Sequence, residues 1–379
     1  MKKYLLGTSA LVAAGMMAGQ ANAADKISLS LGGFIEEWFG YSDKSEDKNR
    51  REWAPWGLMT DGEIHFKGSV NLDNGMKVTA RAEIEMNSDK QNVSIDEVWL
   101  QISSDALGMI EVGEQDSITD SIVKSWGGYG IGLGDVDKWI FDTPGIGGES
   151  PESAKITGGS EDQTKINYYT PAAWQKLTGL QGSVTFAPNN FNNDSEGNVN
   201  NVTEGNNAYA LGLTYSQELM GVNTYIAYGY YKEDTNTRAV NDVRSITGHQ
   251  ISANFKYGDW EMGGGYVRSM DEFENIPGSG IVTDTADGFA YNFGLGYTMG
   301  QWQFSVERMY VKNGQTNAIG GKGAGARRTV HMADAAYNLG GGIKWATSIF
   351  TQNIRSEEAN NQDVVNDGWG IVTGLVASF

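Results

Sequence analysis

Paired carboxylates are the first residues in this chain whose spacing suggests chemistry. Glu36-Glu37 and Glu83-Ile84-Glu85 bring acids close together, as glycosidic hydrolysis requires. With 47 Asp and Glu in the sequence, such pairs arise by chance and name no reaction. His65, His249 and His331 are the only histidines, and none has the HExxH-like spacing of a zinc site. Ser, His and Asp occur without a G-x-S-x-G elbow, and the 51 glycines form no strand-to-helix phosphate loop. Cysteine is absent, which excludes a thiolate metal site, a Cys nucleophile and a disulfide framework. The acidic runs Asp43–Asp47 and Asp284–Asp287 offer oxygen ligands for weak Ca²⁺ binding. Neither fits an EF-hand, and no other cofactor or metal is implied. A formal charge of −19 disfavours nucleic acid as a partner.

The elements that must position these residues are strands. Glu63, His65, Lys67, Ser69 and Asn71 alternate with Ile64, Phe66, Gly68, Val70 and Leu72. Asp73-Asn74-Gly75 then makes a hairpin turn. The return segment carries Lys77, Thr79, Arg81, Glu83 and Glu85 on one face and Met76, Val78, Ala80, Ala82, Ile84 and Met86 on the other. A helix would need apolar residues at i, i+3 and i+4, which are missing. Like segments are marked at about 27–42, 60–72, 76–88, 93–104, 108–115, 164–170, 179–188 and 207–217. Further on they fall at about 221–233, 244–257, 260–270, 286–299, 302–312, 328–339, 342–354 and 368–379. This is an even number of strands, about sixteen, as a closed antiparallel barrel requires.

Connection lengths alternate as well. Short turns fall near Asp73–Gly75, Asp105–Leu107, Leu219–Gly221, Gly258-Asp259, Gly300-Gln301 and Gly340-Gly341. Long polar loops fall at about 43–59, 116–163, 189–206, 234–243, 271–285, 313–327 and 355–367. Short turns at one end and long loops at the other mark a transmembrane barrel, which a soluble sandwich has no reason to imitate. The aromatics Trp99, Tyr215, Trp260, Tyr297, Trp302, Tyr310, Trp345 and Trp369 are assigned to the outer face as interfacial girdles. Mean hydropathy is negative and no second long apolar run follows the N-terminus, which excludes a helical membrane protein. The N-terminus itself reads as a signal peptide over 1–23, with Lys2 and Lys3 before an apolar stretch and Ala21-Asn22-Ala23 as the cleavage box. Cleavage between Ala23 and Ala24 leaves one barrel domain, 24–379, and implies export by the Sec pathway.

The 116–163 loop is the functional candidate, since a hairpin needs nothing so long. Trp126, Tyr129 and Trp139 with Ile140 and Phe141 give it apolar anchors, and Asp135, Asp137, Asp142 and Glu149 give it negative charge. It is read as a constriction loop packed on the inner wall with carboxylates towards the pore. The opposing wall is read as Glu63, His65, Lys67, Lys77, Arg81, Glu83, Glu85 and Lys165, partly basic. An acidic loop across from such a wall sets a transverse field that favours polar solutes.

Several stretches resemble the general porins of Gram-negative bacteria, particularly the alphaproteobacterial type. They are Leu31-Gly32-Gly33-Phe34, Glu63-Ile64-His65-Phe66-Lys67-Gly68 with Leu72-Asp73-Asn74-Gly75, and Ile95-Asp96-Glu97. Gly113-Glu114-Gln115-Asp116-Ser117, Gly130-Ile131-Gly132-Leu133-Gly134-Asp135, Tyr168-Tyr169-Thr170-Pro171 and the final Phe379 complete the set. The segment Ala172–Leu177 departs from that pattern by lengthening a short-end turn, and Trp99 stands where Tyr is more usual. The resemblance implies an outer-membrane homotrimer of sixteen-stranded barrels, surrounded by outer-membrane lipid and lipopolysaccharide. It implies that the third loop narrows each pore, and that Phe379 is the signal read by the barrel-assembly machinery. The function implied is passive diffusion of small polar solutes and ions, with cations preferred on charge grounds. A nutrient-specific porin is the alternative, resting on Trp126, Tyr129 and Trp139 as stacking surfaces. An enzyme or adhesin on a barrel scaffold and a soluble periplasmic binding protein stand further off.

Overall fold

The computed structural model describes residues 26–44, 55–86, 94–140, 163–189, 206–237, 242–274, 285–313, 326–357 and 363–379. Sixteen antiparallel strands close on themselves, each paired with its sequence neighbours and β1 paired with β16. The strands are β1 Ser28–Lys44, β2 Trp56–Asn71, β3 Lys77–Glu85, β4 Ser94–Ser104, β5 Gly108–Gln115, β6 Gln163–Tyr169, β7 Leu180–Asn189 and β8 Asn206–Leu219. They continue as β9 Val222–Thr237, β10 Asp242–Tyr257, β11 Trp260–Glu274, β12 Thr285–Met299, β13 Trp302–Asn313, β14 Ala326–Gly340, β15 Ile343–Glu357 and β16 Asp363–Ser378. Closure matters because lipid offers no partner for an open sheet edge. It is made where Gly33 and Phe379 exchange backbone hydrogen bonds of 3.0 Å in both directions.

Alternation sorts side chains as the sequence indicates, but the apolar side faces out. Leu29, Leu58 and Val306 are more than half exposed, while the inward positions mix polar residues, alanine and glycine with apolar residues such as Met309, Val330 and Phe350 that are buried inside. Aromatic pairs collect near both ends of the outer face. Trp260 meets Tyr297 at a tilt with centroids 4.6 Å apart, and Trp302 meets Tyr337 edge-on at 4.8 Å, at the short-turn end. Trp56 meets Phe39 at 5.3 Å and Tyr41 at 5.0 Å at the long-loop end. Trp99 is the exception to the expected girdle. It lies opposite the inward Arg81 and turns into the lumen, donating to Glu97 at 2.9 Å. A ladder irregularity between Ala82 and Ile84 interrupts simple counting along β3 and β4.

The strands of the second half run further towards the long-loop end than periodicity suggests. The β10–β11 ladder, for example, reaches Val243 opposite Glu274. Backbone pairing continues there beyond the stretch in which alternation is clear in the sequence. For the same reason Thr285, Ala286 and Asp287 open β12 rather than belonging to a loop. The lengthened turn after Pro171 is a helix, α3, spanning Ala172–Thr178, and it ends at the left-handed Gly179. Two short helices, α1 Ile118–Ile122 and α2 Asp137–Ile140, belong to the third loop.

The closure point is sterically specified. Gly33 has φ +146°, and a Cβ there would lie 2.1 Å from the Glu63 carbonyl oxygen. Gly33→Val should therefore destabilise the barrel by at least the ~1–3 kcal/mol of a strained backbone position. The readout is a lower temperature for loss of the compact, unheated band in SDS electrophoresis. Gly68→Ala, whose added carbon meets Leu29 at 3.5 Å and Ile27 at 3.9 Å in ordinary contact, should leave that temperature unchanged.

Candidate functional site

From Asp116 the third loop turns into the barrel and follows the inner wall. Its backbone groups are met in sequence by wall side chains. Ile118 N–H donates to Thr185 Oγ1 on β7 at 3.0 Å, and Gln250 on β10 donates to the Thr119 carbonyl at 2.6 Å. Tyr225 on β9 caps the Ile122 carbonyl, Asn254 the Lys124 carbonyl at 2.7 Å, and Asn292 on β12 the Trp126 carbonyl at 3.0 Å. Tyr129 N–H donates to Asp334 Oδ2 on β14 at 3.1 Å, and Ile131 N–H to Ser348 Oγ on β15 at 3.1 Å. Arg328 then caps the Gly134 carbonyl at 3.1 Å, and α2 comes to rest against β16 and β1. Such pairing is obligatory, since a buried unpaired amide costs about 1–3 kcal/mol.

The loop's aromatic side chains sit in seats made by wall glycines. A Cβ on Gly294 would lie 2.1 Å from Trp126 Nε1, and one on Gly296 would lie 2.6 Å from the Tyr129 hydroxyl. Trp139 occupies the space left by Gly40 and Gly57. Trp126 and Trp139 are buried in this way, and Tyr129 is half-buried with its hydroxyl donating to Glu261 at 3.0 Å. Burial, with the Glu261 carboxylate beside it, pushes the Tyr129 hydroxyl up to about 12, so it stays a neutral donor. Beneath the loop, the Ser305 hydroxyl lies 2.8 Å from Asp334 Oδ2 and 3.2 Å from Glu307 Oε1.

The wall of β2–β5 faces the lumen without this cover, and the predicted wall residues gather there. His65 lies opposite Glu83 and Glu63 opposite Glu85 in the β2–β3 ladder. His65 Nε2 is 2.7 Å from Glu63 and 3.2 Å from Glu83, while Arg81 pairs with Glu83 and reaches His65 Nδ1 at 3.2 Å. Arginine can only donate, so Nδ1 accepts and the imidazole proton sits on Nε2, towards the two carboxylates. Arg81 also lies 5.8 Å from the Trp99 ring. These groups set His65 in a cross-strand network that the lack of HExxH-like spacing did not announce. Glu63, His65 and Glu83 present ligand atoms within 4.8 Å of one another and could take a divalent ion. That would require Arg81 to leave Nδ1; as arranged, they form an ion-pair network.

Other predicted residues fall elsewhere. Lys67 is exposed opposite Arg81, and Lys77 stands at the hairpin turn, away from the network. Lys165 points inward but is completely buried, holding the Gln115 carbonyl beneath the loop, so it does not line the water-filled lumen. Asp135 pairs with Lys138 of its own loop at 3.0 Å, and Lys138 lies 3.7 Å from Asp61 on the wall. Asp137 begins α2, and Asp142 and Glu149 lie outside the described residues. Among the described residues, then, the expected polarity is altered. The acidic surplus is on the wall, where Glu97 and Glu111 join Glu63, Glu83 and Glu85. Sequence reasoning missed Asp334, Ser348, Asn292, Gln250 and Arg328. Their inward phase was readable, but the loop that covers them was not.

A profile of Gram-negative porins matches residues 7–355. The chain belongs to the Gram-negative porin family. It is an outer-membrane channel. The fold is shared with the anion-selective porin of Comamonas acidovorans, with a TM-score of 0.65 at 10% identity over 93% of this chain and 100% of that one. The outer-membrane channel DcaP of Acinetobacter baumannii gives 0.63 at 12% identity, covering 96% and 100% of the two chains. OmpF of Salmonella typhi, in complex with daunomycin, gives 0.58 at 14% over 93% and 97%. These identities speak for the fold alone. Comparison with curated proteins gives no sequence match.

The glycine seats make the porin's loop position testable. Gly294→Leu should lift Trp126 from the wall and lower single-channel conductance by a measurable fraction, with increased current noise. Gly127→Ala, with nothing within 4 Å of the added carbon, should leave the conductance unchanged.

Proposed function

We propose that this porin is a general diffusion channel that prefers cations and works as a homotrimer. The observation that carries the preference is the exposed wall. Glu63, Glu85, Glu97 and Glu111 outnumber Lys67, Lys77 and Arg81 on β2–β5, across the lumen from the anchored loop, while Glu83 is buried in their midst. Carboxylates lining a narrow aqueous gap raise the local cation concentration and repel anions. Cationic side chains elsewhere on the inner wall, such as Lys165 and Arg328, are buried against the loop and act on its carbonyls.

A nutrient-specific channel is less well supported. Such a pore needs aromatic faces turned to solute, and Trp126 and Trp139 have theirs against the wall. Trp99 alone among the residues discussed offers an indole in the lumen, and Arg81 lies over it.

Homotrimer formation is favoured by the outer face of β1, β2 and β16. Glu37 points outward there and accepts a hydrogen bond from Thr60 at 2.8 Å. A carboxylate among Leu31, Ile35 and Leu375 is better covered by a neighbouring subunit than by lipid. In this reading the mature chain starts at Ala24 after Sec export, and Phe379 directs assembly into the outer membrane.

Reversal potentials across planar bilayers under a tenfold KCl gradient test the selectivity. The wild type should show cation preference in conductance steps of three. Glu63→Gln with Glu85→Gln should lower the cation-to-anion permeability ratio several-fold. An anion-directed reversal potential in the wild type would overturn the assignment.

A further inference from the structure

Glu63 and His65 stand two residues apart on the inward face of β2, and the ladder sets Glu83 of β3 directly opposite His65. Strand geometry therefore delivers one imidazole and two carboxylates to a single point on the wall, held by neighbouring strands of a closed barrel. Their ligand atoms lie within 4.8 Å of one another. Two ligands held at about 2.0–2.1 Å by one tetrahedral zinc ion lie about 3.3 Å apart. His65 Nε2 is already 3.2 Å from Glu83. Its separation from Glu63, 2.7 Å, needs to open by only about 0.6 Å, and the Glu63 side chain is partly exposed and has room to turn.

Charge at this point is unbalanced. Glu97 lies within hydrogen-bonding reach of Glu83, so three carboxylates gather on the patch. Among the described residues, Arg81 is the one cation shown in contact with them. Glu83 is more than nine-tenths buried, where water screens the excess poorly. Arg81 occupies His65 Nδ1, but it has a second seat. The Trp99 ring lies 5.8 Å from its guanidinium, and the two residues face each other in the β3–β4 ladder. An ion that takes Nε2 displaces the imidazole proton, which passes through lumen water to Nδ1. Nδ1 then donates instead of accepting, Arg81 withdraws to Trp99, and the number of protons on the imidazole is unchanged.

We infer that Glu63, His65 and Glu83 form a binding site for a divalent transition-metal ion, with Zn²⁺ as its representative, on the wall of the pore. Three protein ligands leave the fourth position to water, so the ion enters and leaves along the lumen itself. The imidazole decides the class of ion, because Ca²⁺ and Mg²⁺ favour oxygen ligands and gain little from a nitrogen. A bound ion adds two positive charges to the acidic wall and opposes the passage of other cations. The site itself does not depend on the selectivity proposed above.

Zn²⁺ titrated into the detergent-purified protein, prepared without a polyhistidine tag and followed by calorimetry, tests it. The wild type should show one tight site per chain, and His65→Asn should weaken it at least tenfold. Arg81→Gln should tighten it several-fold, because the competitor for the imidazole is gone. Co²⁺ in place of Zn²⁺ should give the intense visible absorption of a four-coordinate ion in the wild type and not in His65→Asn. Excess Ca²⁺ should not displace Zn²⁺, and all three proteins should migrate compactly in unheated SDS electrophoresis. Equal Zn²⁺ affinity in wild type and His65→Asn would overturn the inference, as would ready displacement by Ca²⁺. If His65→Asn does not assemble, the other two proteins decide: a wild type without a saturable site, or weaker binding by Arg81→Gln, overturns it. Saturating Zn²⁺ should also lower the cation-to-anion permeability ratio. Zn²⁺ binding that leaves the reversal potential unchanged would count against this wall as the seat of selectivity and leave the metal site standing.

Discussion

A stretch of chain that leaves its hairpin and enters a barrel must find a partner for every backbone amide it carries. Strand closure satisfies the ladders, but it does nothing for the third loop, whose peptide groups displace water from the inner wall. The wall answers with side chains far away in sequence. Gln250 reaches the Thr119 carbonyl, Asn292 that of Trp126, and Ser348 accepts from Ile131 N–H. The space is matched in the same way, with Gly294, Gly296, Gly40 and Gly57 lying under the bulky residues of the loop. The loop's course is thus written twice, once in its own aromatics and once in the small and polar residues of strands on either side of it in the chain.

That constraint divides the lumen into two walls of different chemistry. From β7 round to β1 the inner surface is largely committed to the loop. Charges there, such as Arg328, Asp334 and Glu307, are buried and directed at peptide groups or at one another. On β2–β5, beyond the Trp139 seat at Gly57 and the Lys138–Asp61 contact, the inner surface is left largely uncovered by the loop, and its charges interact with one another and with solvent. The formal charge of −19 consequently says little about selectivity by itself. What matters is which wall a carboxylate occupies, because one wall meets ions and the other meets backbone.

Much of the architecture could be read from the residues, for a physical reason. Alternation over β2 and β3, and the Asp73-Asn74-Gly75 turn between them, are local properties of the chain. They even contain the register, since that turn dictates that His65 faces Glu83. Treating each histidine singly concealed this cross-strand network. Lys165 is a different case. Its inward phase was legible, but whether an inward residue meets water or the loop depends on contacts such as that with the Gln115 carbonyl, 50 residues away, for which local periodicity carries no signal. Trp99 failed for a third reason, the ladder irregularity near Ala82, which shifts phase without leaving a mark in composition.

The same logic links the two faces of a single strand. On β13 and β14, Ser305, Glu307 and Asp334 point inward to support Tyr129, while Arg308, Lys312, Arg327 and His331 point outward. A register slip of one residue would exchange these sets, placing acids against lipid and arginines under the loop. The acids do not tolerate lipid, so the loop anchor and the outward face specify the same register. A strand that must hold a peptide on one side and face the membrane on the other is therefore more strongly determined than one that does either alone. This region of the barrel, rather than the largely uncovered wall of β2–β5, is where register is most firmly fixed by chemistry.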